Sequence, residues 1–150
     1  MPEKGKSVVD HIIRAVSDGG REEHTEKKII GLVEKVKVIG SRRSMETEAL
    51  IDSGATRTSV DLRVAARCGL GPVVSVARVK SKTDPAGYTR RAVVKGEIEL
   101  RGIRRKGRFT LSDRSSMAYP VLVGRDVIHS NFVLDISKSH DSHKLKDKKK

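Results

Sequence analysis

Aromatic residues are almost missing from this chain: two Tyr, two Phe and no Trp in 150 residues. A core must therefore be filled by Val, Ile and Leu, and a surface for stacking nucleic-acid bases has few candidates. Cys68 stands alone, which excludes an internal disulfide and suits a reducing compartment. No run approaches the roughly 20 apolar residues of a membrane span. The N-terminus has no continuous apolar stretch of the signal-peptide kind. Together these absences lead to the expectation of a soluble, cytoplasmic protein with no membrane partner.

Charge, by contrast, is abundant. Charged residues make up 34% of the chain, above the roughly 25% of an average domain. The formal net charge of +13 favours acidic partners: nucleic acid, anionic lipid or acidic peptides. Much of it is concentrated in RGIRRKGR at 101–108 and KLKDKKK at 144–150. The length suits one domain with a real core.

Residues 7–20 have the pattern of a short amphipathic helix. Ser7 and Asp10 open it in the manner of a capping box, and Gly19–Gly20 close it. Val8, Val9, Ile12, Ile13 and Val16 share one face. A polar linker follows, and from Lys28 the pattern turns to β. Strands are expected over 29–40, 45–51, 73–80, 88–100, 107–113, 120–123 and 132–136. Short helices are expected over 62–70 and 125–130. Asp84–Pro85 and Gly87 punctuate a turn between the third and fourth strands, which predicts a long hairpin. Many short strands and little helix point to an all-β barrel or sandwich.

One stretch does not fit a plain β protein. At 49–55, ALIDSGA runs an apolar strand straight into Asp52. A carboxylate at the end of a buried strand is costly unless it is paired or hydrogen-bonded. The plain reading is a turn acid bonded to its own backbone. The functional reading is catalytic. Two carboxylates about 3 Å apart cannot both ionise, so one keeps a proton while the other acts as base toward water. Each acid then needs a tight turn, which Ser53, Gly54 and Ala55 supply.

The loop at 49–55 and the later VLVGRD at 121–126 resemble the two signature segments of retropepsin-like aspartic proteases. The similarity is greatest to the subgroup labelled ATP-dependent zinc proteases, and extends over 89–102, 111–128 and 132–139. The resemblance implies a closed acid-protease barrel, with one half-enzyme per chain. It divides the chain into an N-terminal helix and linker (1–27), a retropepsin-like domain (28–139) and a basic disordered tail (140–150). It makes Asp52 catalytic, Ser53 a bond across to the partner loop, and Gly54 a contact for substrate backbone. Gly124 and Arg125 brace the loop. The flap falls on Lys82, Thr83, Asp84, Pro85, Ala86, Gly87 and Tyr88. With one Asp-Ser-Gly per chain, the resemblance implies a homodimer that brings two Asp52 carboxylates together on a twofold axis.

Thr56 stands where viral retropepsins carry an acid, so Arg125 needs another partner, Asp126 or a backbone carbonyl. Asp61 and Asp126 read as helix-start or turn acids. The subgroup's label finds no motif here: there is no phosphate loop ending in Gly-Lys-Ser/Thr and no His-Glu-x-x-His. His140 and His143 lie in a polar tail, and His11, His24 and His129 are scattered. No metal or cofactor is expected. The substrate expected is a peptide or protein, favoured when acidic. The rival reading is a weak or inactive retropepsin-fold module that binds nucleic acid or ribosomal components through 101–108 and the tail.

Overall fold

The computed structural model describes residues 26–139. The helix expected over 7–20 and the basic tail from 140 onward lie outside the described residues.

Among the described residues, nine strands and two short helices follow in order. They are β1 (Lys28–Ile30), β2 (Val33–Ile39), β3 (Ser44–Ile51), β4 (Ser59–Asp61), α1 (Leu62–Cys68), β5 (Val73–Lys80), β6 (Tyr88–Leu100), β7 (Ile103–Ser112), β8 (Val121–Val123), α2 (Arg125–Ile128) and β9 (Phe132–Leu134). The hydrogen-bonded order β2-β3-β8-β4-β7-β6 returns to β2 through a β2–β6 pairing, closing a barrel of six strands. Strand β5 stays outside this ring and, among the described residues, pairs with β6 alone, while β1 and β9 form a separate parallel pair.

Alternation decides which residues face inward. On β2, Val36 and Val38 are buried while Lys35 is exposed. Their inward neighbours are aliphatic, as the shortage of aromatics requires: Ile51, Val60, Ile98, Leu100, Val121 and Val123, with Phe109 the largest fully buried side chain. Helix α1 lays Val64, Ala65 and Cys68 against this core. It starts on Asp61, whose carboxylate accepts the Arg63 N–H, and stops at Gly69 in the left-handed region.

Three departures from the sequence reading have physical causes. The single strand expected over 29–40 is two, because the Gly31–Leu32 step leaves one sheet for the other: Leu32 N–H bonds Lys138 O, and Ile51 N–H bonds Leu32 O. Strand β7 begins at Ile103, four residues before the expected start, since Leu100 and Ile103 pair around a two-residue turn. Arg101 and Gly102 both take positive φ there, 52° and 82°. That is the hairpin geometry usually announced by Asn-Gly or Asp-Gly, and arginine hides it. Strand β4 is only three residues long, too short to show alternation.

The expected hairpin is present. Strand β6 pairs with β7 only from Val93 onward, whereas its first residues, Tyr88 to Ala92, pair with Lys80 to Val76 of β5. The β5–β6 hairpin therefore extends past the end of the β6–β7 ladder as a two-stranded arm.

Candidate active site

Parallel strands leave a sheet at the same end, and this brings the two sequence segments together. Strands β3 and β8 run parallel, with Ala49, Leu50 and Ile51 opposite Val121, Leu122 and Val123. Asp52 and Gly124 thus emerge side by side, and the Asp52 N–H donates to Val123 O at 2.8 Å. The loop then folds back on itself. Ala55 N–H donates to Asp52 O at 3.1 Å, and Gly54 N–H donates to Asp52 Oδ1 at 2.8 Å. Asp52 is half-buried, while Ser53 and Gly54 are exposed. Among the described residues, Asp52 Oδ2 accepts no hydrogen bond.

The β8–α2 turn packs directly on this loop. Arg125 N–H donates to Ala55 O at 2.8 Å. A Cβ at Gly124 would lie 2.8 Å from Ala55 O and from the Arg57 carbonyl carbon, closer than real side chains come, so only glycine fits. The Arg125 side chain reaches the Thr56 hydroxyl at 3.0 Å and is exposed. Its partner is therefore neither Asp126 nor a carbonyl, as the sequence suggested, but the residue that replaces the viral acid.

A deeper tie comes from Thr58, which the sequence reading had not singled out, and Asp126, which it had offered as a partner for Arg125 or a helix-start acid. Thr58 is fully buried. Its N–H donates to both carboxylate oxygens of Asp126, at 3.1 and 3.0 Å. Its hydroxyl donates to Asp126 Oδ1 at 2.7 Å and accepts the Gly124 N–H at 3.0 Å. Its carbonyl accepts from the Thr110 N–H at 3.0 Å. One threonine thus joins the loop, the Gly-Arg turn and β7. Charge-assisted bonds of this kind are shorter and stronger than neutral ones. The available signal was an acid right after Gly-Arg, with a Thr following the loop.

Asp61 anchors the next segment. Burial raises its carboxyl pKa, but bonds from Arg114 N–H and from the Arg63 side chain and N–H outweigh this and leave it below the usual carboxylate range.

Between the loop and the hairpin arm lies a cleft of about 510 Å³, lined by Ala55, Thr56 and Arg57 on one side and Ala77, Val79 and Arg91 on the other. Arg114, Thr110 and Leu122 are also part of its lining. Asp52 itself stands outside the lining, three residues from Ala55. The tip residues Lys82–Tyr88 do not line it either. Their turn is tied by Gly87 N–H to Asp84 O at 2.8 Å and by Ala86 N–H to Asp84 Oδ1 at 2.8 Å. Tyr88 lies under the Arg78 guanidinium, 4.4 Å from ring centre to charge. Among the described residues, no three His, Cys, Asp or Glu side chains converge into a metal-holding group. No helix among them is long and apolar enough to cross a membrane.

The closed six-strand barrel, with an acid-bearing loop packed on a Gly-Arg turn, has the retropepsin-like architecture. Comparison with family models places it more narrowly. The model of the RimB-like family, described as retropepsin-like aspartic endopeptidase RimB, matches residues 66–144, just over half of the chain, and the chain belongs to that family. The matched region begins downstream of the Asp52 loop. No curated protein matches the sequence. Among solved structures, a protein of unknown function from Legionella pneumophila is similar at 22% identity and TM-score 0.53, covering 76% of this chain and 97% of that one. The EIAV protease, solved with an inhibitor, is similar at 16% identity and TM-score 0.50, covering 64% and 83%. At these identities the likeness is one of fold.

Proposed function

We propose that this protein is an aspartic endopeptidase, acting in the cytoplasm as a homodimer in which two Asp52 carboxylates share one proton. The observation that carries this reading is the state of Asp52. One carboxylate oxygen is fixed by the Gly54 N–H and the other accepts no hydrogen bond among the described residues. The far side of the loop is held to the Gly-Arg turn, Ala55 O by the Arg125 N–H and Thr58 by Asp126 and Gly124. A free carboxylate oxygen on a rigid loop suits a group that must meet water and a twin acid.

In this reading the ionised Asp52 takes a proton from water as the water oxygen attacks the peptide carbonyl carbon. The protonated Asp52 of the other protomer donates to the carbonyl oxygen. Collapse of the resulting diol breaks the C–N bond: the proton held on one carboxyl passes to the leaving amine, and the other carboxylate takes the proton of a diol hydroxyl, which restores the starting pair. No covalent intermediate forms. Ser53 would tie the two loops across the axis, Gly54 would hold substrate backbone, and the arm tipped by residues 82–88 would close over it and exclude water. Gly124 and Arg125 act with Thr58 as the support beneath. The net charge of +13 supports an acidic peptide or protein segment as the favoured substrate.

The test is cleavage of a diverse peptide library by wild type and Asp52→Asn, from acid to neutral pH, with mass in solution recorded alongside. The reading requires cleavage by a wild-type dimer and none by the near-isosteric variant. Equal cleavage by both proteins, or a wild type that stays monomeric with substrate present, would overturn it.

A further inference from the structure

The parallel β1–β9 pair has one face in the core and one in the open. Ile30 and Phe132 are buried against the barrel. Ile29 and Val133, next to them along the strands, are register partners, so both side chains project from the outer face. They are 50% and 49% exposed, and Ile136, in the turn after β9, is 70% exposed. An apolar sheet face of this kind is ordinarily buried against a further layer. Ile29 also lines a groove of about 980 Å³ whose rim carries Lys27, Lys28, Arg101 and Lys138 against Glu26 and Glu34. Glu34 is buried, and its Oε2 accepts the Gly31 N–H at 2.7 Å, so the open rim is basic.

Charge and apolar content choose among the occupants within reach. The C-terminal residues 140–150 bring five Lys against two Asp, with Leu145 their only large apolar side chain, so they are repelled and have little to bury. A second copy on a twofold axis would set the basic rim against itself, a costly juxtaposition. Residues 1–25 differ on both counts. They hold five acids against four Lys and Arg, with Glu22 and Glu23 just ahead of the rim. Val8, Val9, Ile12, Ile13 and Val16 gather on one side of the expected helix. That stripe would be about 12 Å long, against about 10 Å for a three-residue strand. The chain enters the groove at Glu26, and the nine residues from 17 to 25 can span up to about 30 Å, ample for the segment to fold back. Such a tether holds the segment at an effective concentration in roughly the mM range. A helix this short is marginal alone and needs a surface to form on.

We infer that the chain's own N-terminal segment covers this face: residues 8–16, as an amphipathic helix, lay their apolar stripe on Ile29, Val133 and Ile136, with Glu22 and Glu23 over the basic rim. The docked segment completes a helix-on-sheet layer and leaves neither apolar surface to solvent. Ile29, Val133 and Ile136 belong neither to the Asp52 loop nor to the cleft beside it, so the contact stands whether or not the protein cuts peptides.

Hydrogen exchange read by mass spectrometry on the full chain tests the contact, and a cysteine pair shows whose segment is bound. Amides of residues 8–16 should exchange at least roughly tenfold more slowly than in a free peptide of the same sequence, at every protein concentration. Val133→Asp and Ile12→Asp should each return them to the free-peptide rate. Val76→Asp, at an exposed apolar position on β5 away from the patch, should not. Ile12 lies outside the described barrel, so its variant keeps the test valid if Val133→Asp fails to fold. With Ile12→Cys and Val133→Cys in one chain, a short bis-maleimide should bridge them within that chain, since Cys68 is buried. Free-peptide rates in wild type, or protection that survives Ile12→Asp, overturn the contact. Protection that fades on dilution, or bridges formed only between chains, assigns the face to a second copy and overturns it equally.

Discussion

Asp52, in the loop after β3, and Asp126, in the first turn of α2, lie on two segments packed against each other, and the chain treats them in opposite ways. Asp126 is saturated. Its carboxylate takes the Thr58 N–H on both oxygens and the Thr58 hydroxyl on one. Asp52 is left half-used, with Gly54 N–H on Oδ1 and nothing on Oδ2 among the described residues. A carboxylate whose oxygens are taken up by the fold has little left to offer a partner from outside. One with an open oxygen can still meet water or a second acid. The pair therefore separates support from chemistry, although both residues are acids in turns and look alike in sequence.

The contrast can be broken at either end. The largest effect is expected from Asp52→Asn, which should lower turnover by roughly 10²–10⁴-fold, the usual worth of a positioned acid or base, while the thermal midpoint barely moves. A variant that unfolds at much lower temperature would show that Asp52 is structural. Next comes Thr58→Val, which keeps the shape but strips the hydroxyl from between Asp126 and Gly124. Both groups then lose a buried partner, so denaturant titration should show a loss of roughly 1–3 kcal/mol. Activity should fall with it, because the loop that carries Asp52 loosens. Unchanged stability would mean that the Thr58 hub is decorative.

The smallest effect sharpens the comparison with a third acid. The Asp61 carboxyl lies below the usual range when folded, so it contributes stability that is full above about pH 4, its unfolded value. That contribution disappears as pH falls through the folded value. Asp61→Asn should therefore cost about 1 kcal/mol at neutral pH, typical of a weakened helix cap. It should cost much less in strong acid, so the acid limb of the stability curve flattens. Parallel curves for wild type and variant would contradict the assignment.

How much of this was legible in the sequence varies with the physics of each element. The hairpin arm and α1 were readable because their signals are local: Asp84–Pro85–Gly87 for the turn, and Gly69 for the helix stop. The barrel could be named because the loop at 49–55 and the turn at 121–126 carry distinctive residues. The Arg101–Gly102 turn was hidden because arginine rarely occupies a left-handed position. Thr58 could not be ranked above its neighbours, since its importance lies in partners 52 to 68 residues away. The arginine cleft was invisible for a similar reason. Arg91 sits in β6 and Arg114 in the segment after β7, and among 32 Lys and Arg residues nothing local marks them as lining one cleft. Arg104, by comparison, meets Glu99 at 3.2 Å on the outer face of the same strands.

The measurement that bears most directly on the central claim is activity in mixed dimers. Wild-type subunits would be combined with Asp52→Asn subunits in varied proportion, at constant total protein and with full subunit exchange. If each site needs an Asp52 from both protomers, activity follows the square of the wild-type fraction, so an equal mixture retains about a quarter. An activity that falls in simple proportion, with about half remaining in the equal mixture, would mean that each chain acts with its own acid alone.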